Sequence, residues 1–268
     1  MEWPKNCSDP WSSEQLNIAT KDQEKVTTMK KLPRVALLAL LTLGLASRSA
    51  YAVPMLMLSD GTTTITITDN LAGDMNPMAG VIVFIGAVGP KWIVNTTTGL
   101  TKPVLGSATD PHMDINSVDV SRSTTPTTLT IKFSDTDFGP YSGPFADSIG
   151  GTVDSSGNGA RLVATEYFDQ ANGNFSGFPD ADNLIATLGP FGPGAFSGSV
   201  NSSPVDGENP FSLTQVVVIT HNGRGGGRSQ STSFNYEKIA VVPEPSALLL
   251  LGSGLAGFGY LRRRARNR

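Results

Sequence analysis

The sequence predicts an all-β fold, a two-sheet antiparallel β-sandwich of jelly-roll or immunoglobulin-like type, on three observations. Between residues 53 and 240 apolar and polar side chains alternate with period two, clusters of turn formers separate the alternating runs, and no stretch keeps a helical period for three turns. Composition agrees: 29 glycines, 18 prolines and a charged fraction of 16% suit short strands and tight turns better than helices. A closed barrel is the alternative architecture for the same pattern.

Taken in order, alternation marks residues 62–68 (TTTITIT), 128–133 (TLTIKF) and 161–168 (RLVATEYF) as strands with one buried face. Residues 81–88 (VIVFIGAV) and 215–219 (QVVVI) are continuously apolar and β-branched, as expected of central strands covered on both sides. Further strands are expected at residues 92–98, 115–121, 195–200 and 231–240, for around ten in all. Turns fall at residues 59–61 (SDG), 88–91 (VGPK), 138–144 (FGPYSGP), 155–159 (SSGNG) and 221–228 (HNGRGGGR).

Charge is distributed unevenly. The whole chain carries a net charge of -3, but residues 53–243 hold 8 Lys and Arg against 17 Asp and Glu, a net of -9. An acidic body repels phosphate backbones, which argues against nucleic acid as a partner and leaves hard cations and neutral sugars open. The single cysteine, Cys7, lies before the body, so the body holds no disulfide, thiol nucleophile or thiolate metal site.

Both ends read as addresses. Residues 29–34 (MKKLPR), an eleven-residue apolar stretch at 35–45 and then ASRSAYA have the order of a secretory signal peptide spanning residues 29–52. Ala50 and Ala52 supply the small side chains that a signal peptidase accepts, which places Val53 at the new N-terminus. Residues 1–28 are polar and aperiodic and read as a non-native start before Met29, or as a disordered cytoplasmic extension. The sandwich is expected at residues 53–240. Residues 241–268 hold a Pro-Glu-Pro triplet, a short apolar segment at 246–261 loosened by four glycines, and five arginines in the last seven positions. Such a segment would lodge transiently in the inner membrane as a short transmembrane helix, its arginines held cytoplasmic by the positive-inside rule. A permanent single-helix anchor is the alternative.

The stretch Val242, Pro243, Glu244, Pro245, Ser246, followed by oil and then base at the chain end, resembles the PEP-CTERM sorting signal of Gram-negative bacteria. That resemblance implies recognition by an exosortase, a membrane-embedded enzyme similar to a cysteine transpeptidase, with the tail removed and the body released or attached outside the cell. It also implies a host that makes extracellular polysaccharide of the kind found in biofilm matrix. Residues 58–138, with LSDGTTTITITDN and LTIKFSDTDF, are similar to bodies that commonly precede this tail, a likeness that assigns no active residue.

For chemistry the sequence offers little. It has no GxSxG, HExxH, P-loop or dinucleotide fingerprint, and no catalytic residue is expected. His112 and His221 read as surface histidines in loops. Paired carboxylates, Asp135 with Asp137 or Glu166 with Asp169, lack a recognisable glycosidase setting. A calcium ion is the one cofactor weighed. Asp154, Ser156 and Asn158 offer oxygens at alternate positions, as at the start of an EF-hand loop, but Thr165 stands where the closing glutamate belongs. Asp180 and Asp182 offer a second oxygen-rich loop, and solvated turns are the competing reading for both. The function expected is an exported structural or matrix-associated protein at the cell surface or outside the cell. The alternative is a module that binds extracellular polysaccharide, with or without calcium.

Overall fold

The structure, a computed structural model, describes residues 52–154, 159–208, 210–223 and 228–241. Among the described residues fourteen strands form: β1 (Met55–Ser59), β2 (Thr64–Thr68), β3 (Val81–Val88), β4 (Trp92–Leu100), β5 (His112–Ser121), β6 (Thr127–Phe138), β7 (Tyr141–Gly143), β8 (Phe145–Val153), β9 (Arg161–Asp169), β10 (Leu184–Phe191), β11 (Gly194–Asn201), β12 (Val205–Gly207), β13 (Phe211–His221) and β14 (Gln230–Ala240). Twelve of them make two six-stranded antiparallel sheets, ordered β10-β9-β13-β6-β1-β2 (sheet A) and β11-β8-β14-β5-β4-β3 (sheet B). Strands β7 and β12 pair as a short separate ribbon.

The expected all-β sandwich is what forms, with six strands per layer instead of the roughly four of a jelly roll or the about seven to nine in total of an immunoglobulin domain. Alternation is what builds it. Along β14 the inward positions Gln230, Thr232, Phe234, Tyr236, Lys238 and Ala240 are all buried, while Ser231, Asn235 and Ile239 between them are exposed. Leu56, Leu58, Ile131, Phe133, Leu213 and Val217 of sheet A meet Ile82, Val94, Met113, Ile115 and Ile149 of sheet B in one hydrophobic core.

Of the two strands expected to be central, one is. β13 lies between β6 and β9, and its outer face is buried as well, because residues 170–183 fold over it. There Ser212 Oγ donates to the Gly173 carbonyl at 2.9 Å, the Phe175 amide donates to Ser134 Oγ at 3.2 Å, and Phe178 meets Tyr167 edge to face at 5.3 Å. Strand β3 corrects the other expectation: it is the edge of sheet B, and Ile85 is 52% exposed. Its apolar sequence is tolerated there because the β2–β3 connection guards the edge. The Met75 amide donates to the Val83 carbonyl at 2.9 Å, and the Val83 amide to Asp74 Oδ1 at 3.0 Å, so this edge does not offer both groups of Val83 to another chain.

The interior is not wholly apolar. At one end His221, fully buried at the close of β13, packs its ring against Trp92 at 4.7 Å with a 31° tilt and bonds Ser121 Oγ through Nδ1 (2.7 Å) and Thr232 Oγ1 through Nε2 (2.8 Å). His221 is therefore not the surface histidine that its Gly-rich neighbours suggest. Burial holds its imidazole neutral, with the pKa lowered to about 4. Nearby Asp119 is fully buried on β5 with one hydrogen bond, from Ser117 Oγ at 2.9 Å. Towards the other end lie a half-buried lysine and a fully buried one. Lys102 Nζ is held by Asp135 Oδ2 at 2.7 Å, and Thr101 Oγ1 donates to that same oxygen at 2.8 Å. Lys238, from β14, faces Glu166 of β9 across the core.

Candidate functional site

The outer face of sheet B is where the alternation places its polar half. Antiparallel register brings Ser197 opposite Gly150, Gly150 opposite Asn235, Asn235 opposite Asn116 and Asn116 opposite Thr98. With strands about 4.8 Å apart, this row of five positions runs roughly 19 Å across the sheet. One pleat further on, Ser199, Ser148, Glu237 and Asp114 form a parallel row. The small residues of β11 and β8 leave an open groove of about 620 Å³ over the first strands of these rows, lined by Ser148, Ile149, Gly150, Ser197, Gly198, Ser199 and Asn235.

Beside the groove the chemistry becomes acidic. His112 Nε2 lies 2.9 Å from Glu237 Oε1, and Asp114 sits opposite Glu237 in the register. Burial raises the Asp114 pKa, against the hydrogen bonds of Asn235 and Asn116 that lower it; Glu237 raises it further and His112 lowers it. The surface thus offers carboxylates, amides and hydroxyls in regular rows. Such groups pair with vicinal hydroxyls, whereas an anion would meet Asp114 and Glu237.

The predicted site residues fall elsewhere. The Asp154 amide donates to the Ser231 carbonyl at 2.9 Å and its Oδ2 accepts from the Ser231 amide at 3.2 Å, so it closes the end of β8 against β14. Ser156 and Asn158 lie outside the described residues. Asp180 caps a single 3-10 turn, accepting from the Asp182 amide at 3.1 Å. The loop of Asp154 precedes β9 and that of Asp180 follows it. Among the described residues no three His, Cys, Asp or Glu side chains gather where they could hold a metal ion. Of the paired carboxylates, Asp135 serves Lys102, Glu166 is sealed in the core, and Asp169 accepts from Ser176 Oγ and the Ala171 amide in its own loop.

At the ends, Ala52 and Val53 precede β1, with the Val53 carbonyl accepting from Asn174 Nδ2 at 3.1 Å. Ala50 lies outside the described residues, as do Val242, Pro243, Glu244, Pro245, Ser246 and the apolar segment at 246–261. Among the described residues no helix is long and apolar enough to cross a membrane. The body closes just before the motif: the Ala240 amide donates to the Pro111 carbonyl at 3.0 Å and the Val241 amide to the Pro144 carbonyl at 3.2 Å.

Sequence reasoning overlooks the rows on sheet B, because alternation shows which side chains face out but not which strands become neighbours. It also passes over Lys238 and Asp147, although a signal is present: each occupies an inward phase of a strand whose other inward positions are mostly apolar or aromatic.

Residues 241–264 match the family model described as the PEP-CTERM protein-sorting motif. No curated protein matches the chain. Among solved structures, "Structure of infectious bursal disease virus Gx strain" aligns over 73% of this chain and 57% of its own, at 13% identity and a TM-score of 0.30, so this chain spans little more than half of that viral chain. A 24-residue sorting motif that begins where β14 has just ended makes this a β-sandwich protein bearing a PEP-CTERM motif, which implies export and processing by an exosortase.

Proposed function

We propose that the sandwich is a matrix-associated structural module, delivered to the cell surface or beyond by its sorting tail, that rests on extracellular polysaccharide through the outer face of sheet B. The supporting observation is the row Ser197, Gly150, Asn235, Asn116, Thr98 above an open groove, a surface of hydroxyls and amides repeating at the strand spacing. That spacing is close to the rise of one sugar along an extended glycan, so successive strands meet successive sugars. Asp114 and Glu237 favour neutral or amine-bearing chains over uronic-acid polymers.

Gly150 gives the test. A Cβ built there has only the Phe196 carbonyl oxygen, at 3.7 Å, within 4 Å, so Gly150→Leu fills the groove and leaves the sheet intact. In affinity electrophoresis through gels cast with neutral or uronic polysaccharides, the protein is retarded by a neutral polymer and not by a uronic one, and Gly150→Leu migrates freely. Retardation unchanged in Gly150→Leu, or none in any neutral gel, defeats this reading.

A further inference from the structure

Lys102 and Lys238 differ in how their ammonium groups are compensated. Lys102 has a carboxylate at 2.7 Å and the Thr136 carbonyl beside it. Lys238 is fully buried; among the described carboxylates only that of Glu166 comes within 4 Å of its Nζ, with Oε1 at 3.5 Å, and Nζ makes no well-formed hydrogen bond. Both Glu166 oxygens and Asp147 Oδ2 are likewise buried without a hydrogen bond. Three ionisable groups are thus shut between two sheets with their charges poorly compensated, an arrangement that disfavours their charged forms.

Their placement suits a reaction among them. Lys238 and Asp147 are directly paired residues on neighbouring strands β14 and β8, both pointing inward. Tyr236, two residues before Lys238, donates from its hydroxyl to Asp147 Oδ1 at 3.0 Å. Glu166 reaches Nζ from the opposite sheet. The rings of Phe145 and Phe138 lie 4.4 and 5.4 Å from Nζ and line the site with apolar surface.

We propose that Lys238 and Asp147 condense to an intramolecular isopeptide bond that joins β14 to β8, with Glu166 carrying the proton. Burial raises the carboxyls of Asp147 and Glu166 and lowers the Lys238 ammonium, so each group is pushed toward its neutral form, and the amine with the protonated acid is the pair that condensation needs. Nζ attacks Asp147 Cγ and the C–N bond forms. The Tyr236 hydroxyl, itself held protonated by burial, stabilises the oxyanion on Oδ1. Glu166 takes a proton from Nζ and returns one to the departing Oδ2, which leaves as water. Glu166 ends as it began, no oxidant or cofactor is consumed, and the product is a neutral amide where an amine and an acid had been buried.

The intact mass of the folded full chain tests this directly. We expect a mass one water below that of the same chain with free side chains, and a branched proteolytic peptide joining the Lys238 fragment to the Asp147 fragment. Lys238→Arg, which keeps the charge but does not condense, and Glu166→Gln, which keeps the shape but not the proton, both restore the full mass. Circular dichroism on each variant checks that the β signal remains. A folded parent chain at full mass overturns the proposal, as does a water loss that persists in Lys238→Arg. A branch that maps to Glu166 in place of Asp147 overturns the assigned electrophile.

Discussion

Phe133 of sheet A occupies the space that a side chain at Gly99 of sheet B would need: a Cβ built on Gly99 would lie 2.6 Å from the Phe133 ring. Sheet-to-sheet packing at the centre of the molecule is therefore one large residue against the one residue without a side chain. Gly99→Ala is expected to destabilise the fold by about 1–3 kcal/mol through overpacking, read as a fall in Tm. Adding Phe133→Leu should recover part of that loss, so the double variant is more stable than the sum of the two single changes predicts.

Asp119 predicts a pH dependence. Burial, opposed only by the hydrogen bond from Ser117, raises its pKa to about 7, well above the ordinary carboxyl value. The folded state therefore binds a proton that the unfolded state has released between about pH 4 and 7, and stability falls as pH rises through that window. Asp119→Asn removes this contribution. Its unfolding free energy in urea should match the parent's near pH 4 and exceed it by about 1–3 kcal/mol at pH 8. His221 contributes the opposite slope, since acid charges the unfolded imidazole before the folded one.

The Lys102–Asp135 pair should be strongly coupled. Asp135→Ala strands a half-sealed ammonium and is expected to cost about 3–5 kcal/mol in urea denaturation. Replacing both, Asp135→Ala with Lys102→Met, returns much of that loss because no uncompensated charge is left.

Processing is checked at the tail. Protein recovered from the cell surface and medium should lack residues 262–268, and replacing Pro243, Glu244 and Pro245 together by alanine should leave the full tail on the chain in the inner-membrane fraction. Mass spectrometry of each fraction reads the outcome.

How much of this could be read in the amino acids depends on which interactions are local. Alternation found the outlines of β2, β6 and β9 because a pleated strand imposes its period on its own residues; β4, β5, β11 and β14 are further candidates, and a continuous β-branched run found β13. It missed β8, whose Gly150 and Gly151 break the pattern, although Gly151 has to be bare: a Cβ there would lie 2.1 Å from the Ser233 carbonyl oxygen. It missed β1 (MLMLS) and β10 (LIATLGPF), where the polar phase is thin. The position of β3 at an edge was also out of reach, because what covers that edge is a loop whose path the strand does not encode. The same limit explains the site: Asn116 and Asn235 lie 119 positions apart and become neighbours only through sheet order.

The place of β14 in its sheet has a mechanical consequence. The strand that leads into the sorting tail is hydrogen-bonded along both edges, to β5 and to β8, and its last residues are tied to Pro111 and Pro144. Tension arriving through residue 241 therefore pulls along the strand axis and loads two ladders of rungs together in shear, where an edge strand would peel open one rung at a time. The body is gripped most firmly at the point by which it would be held.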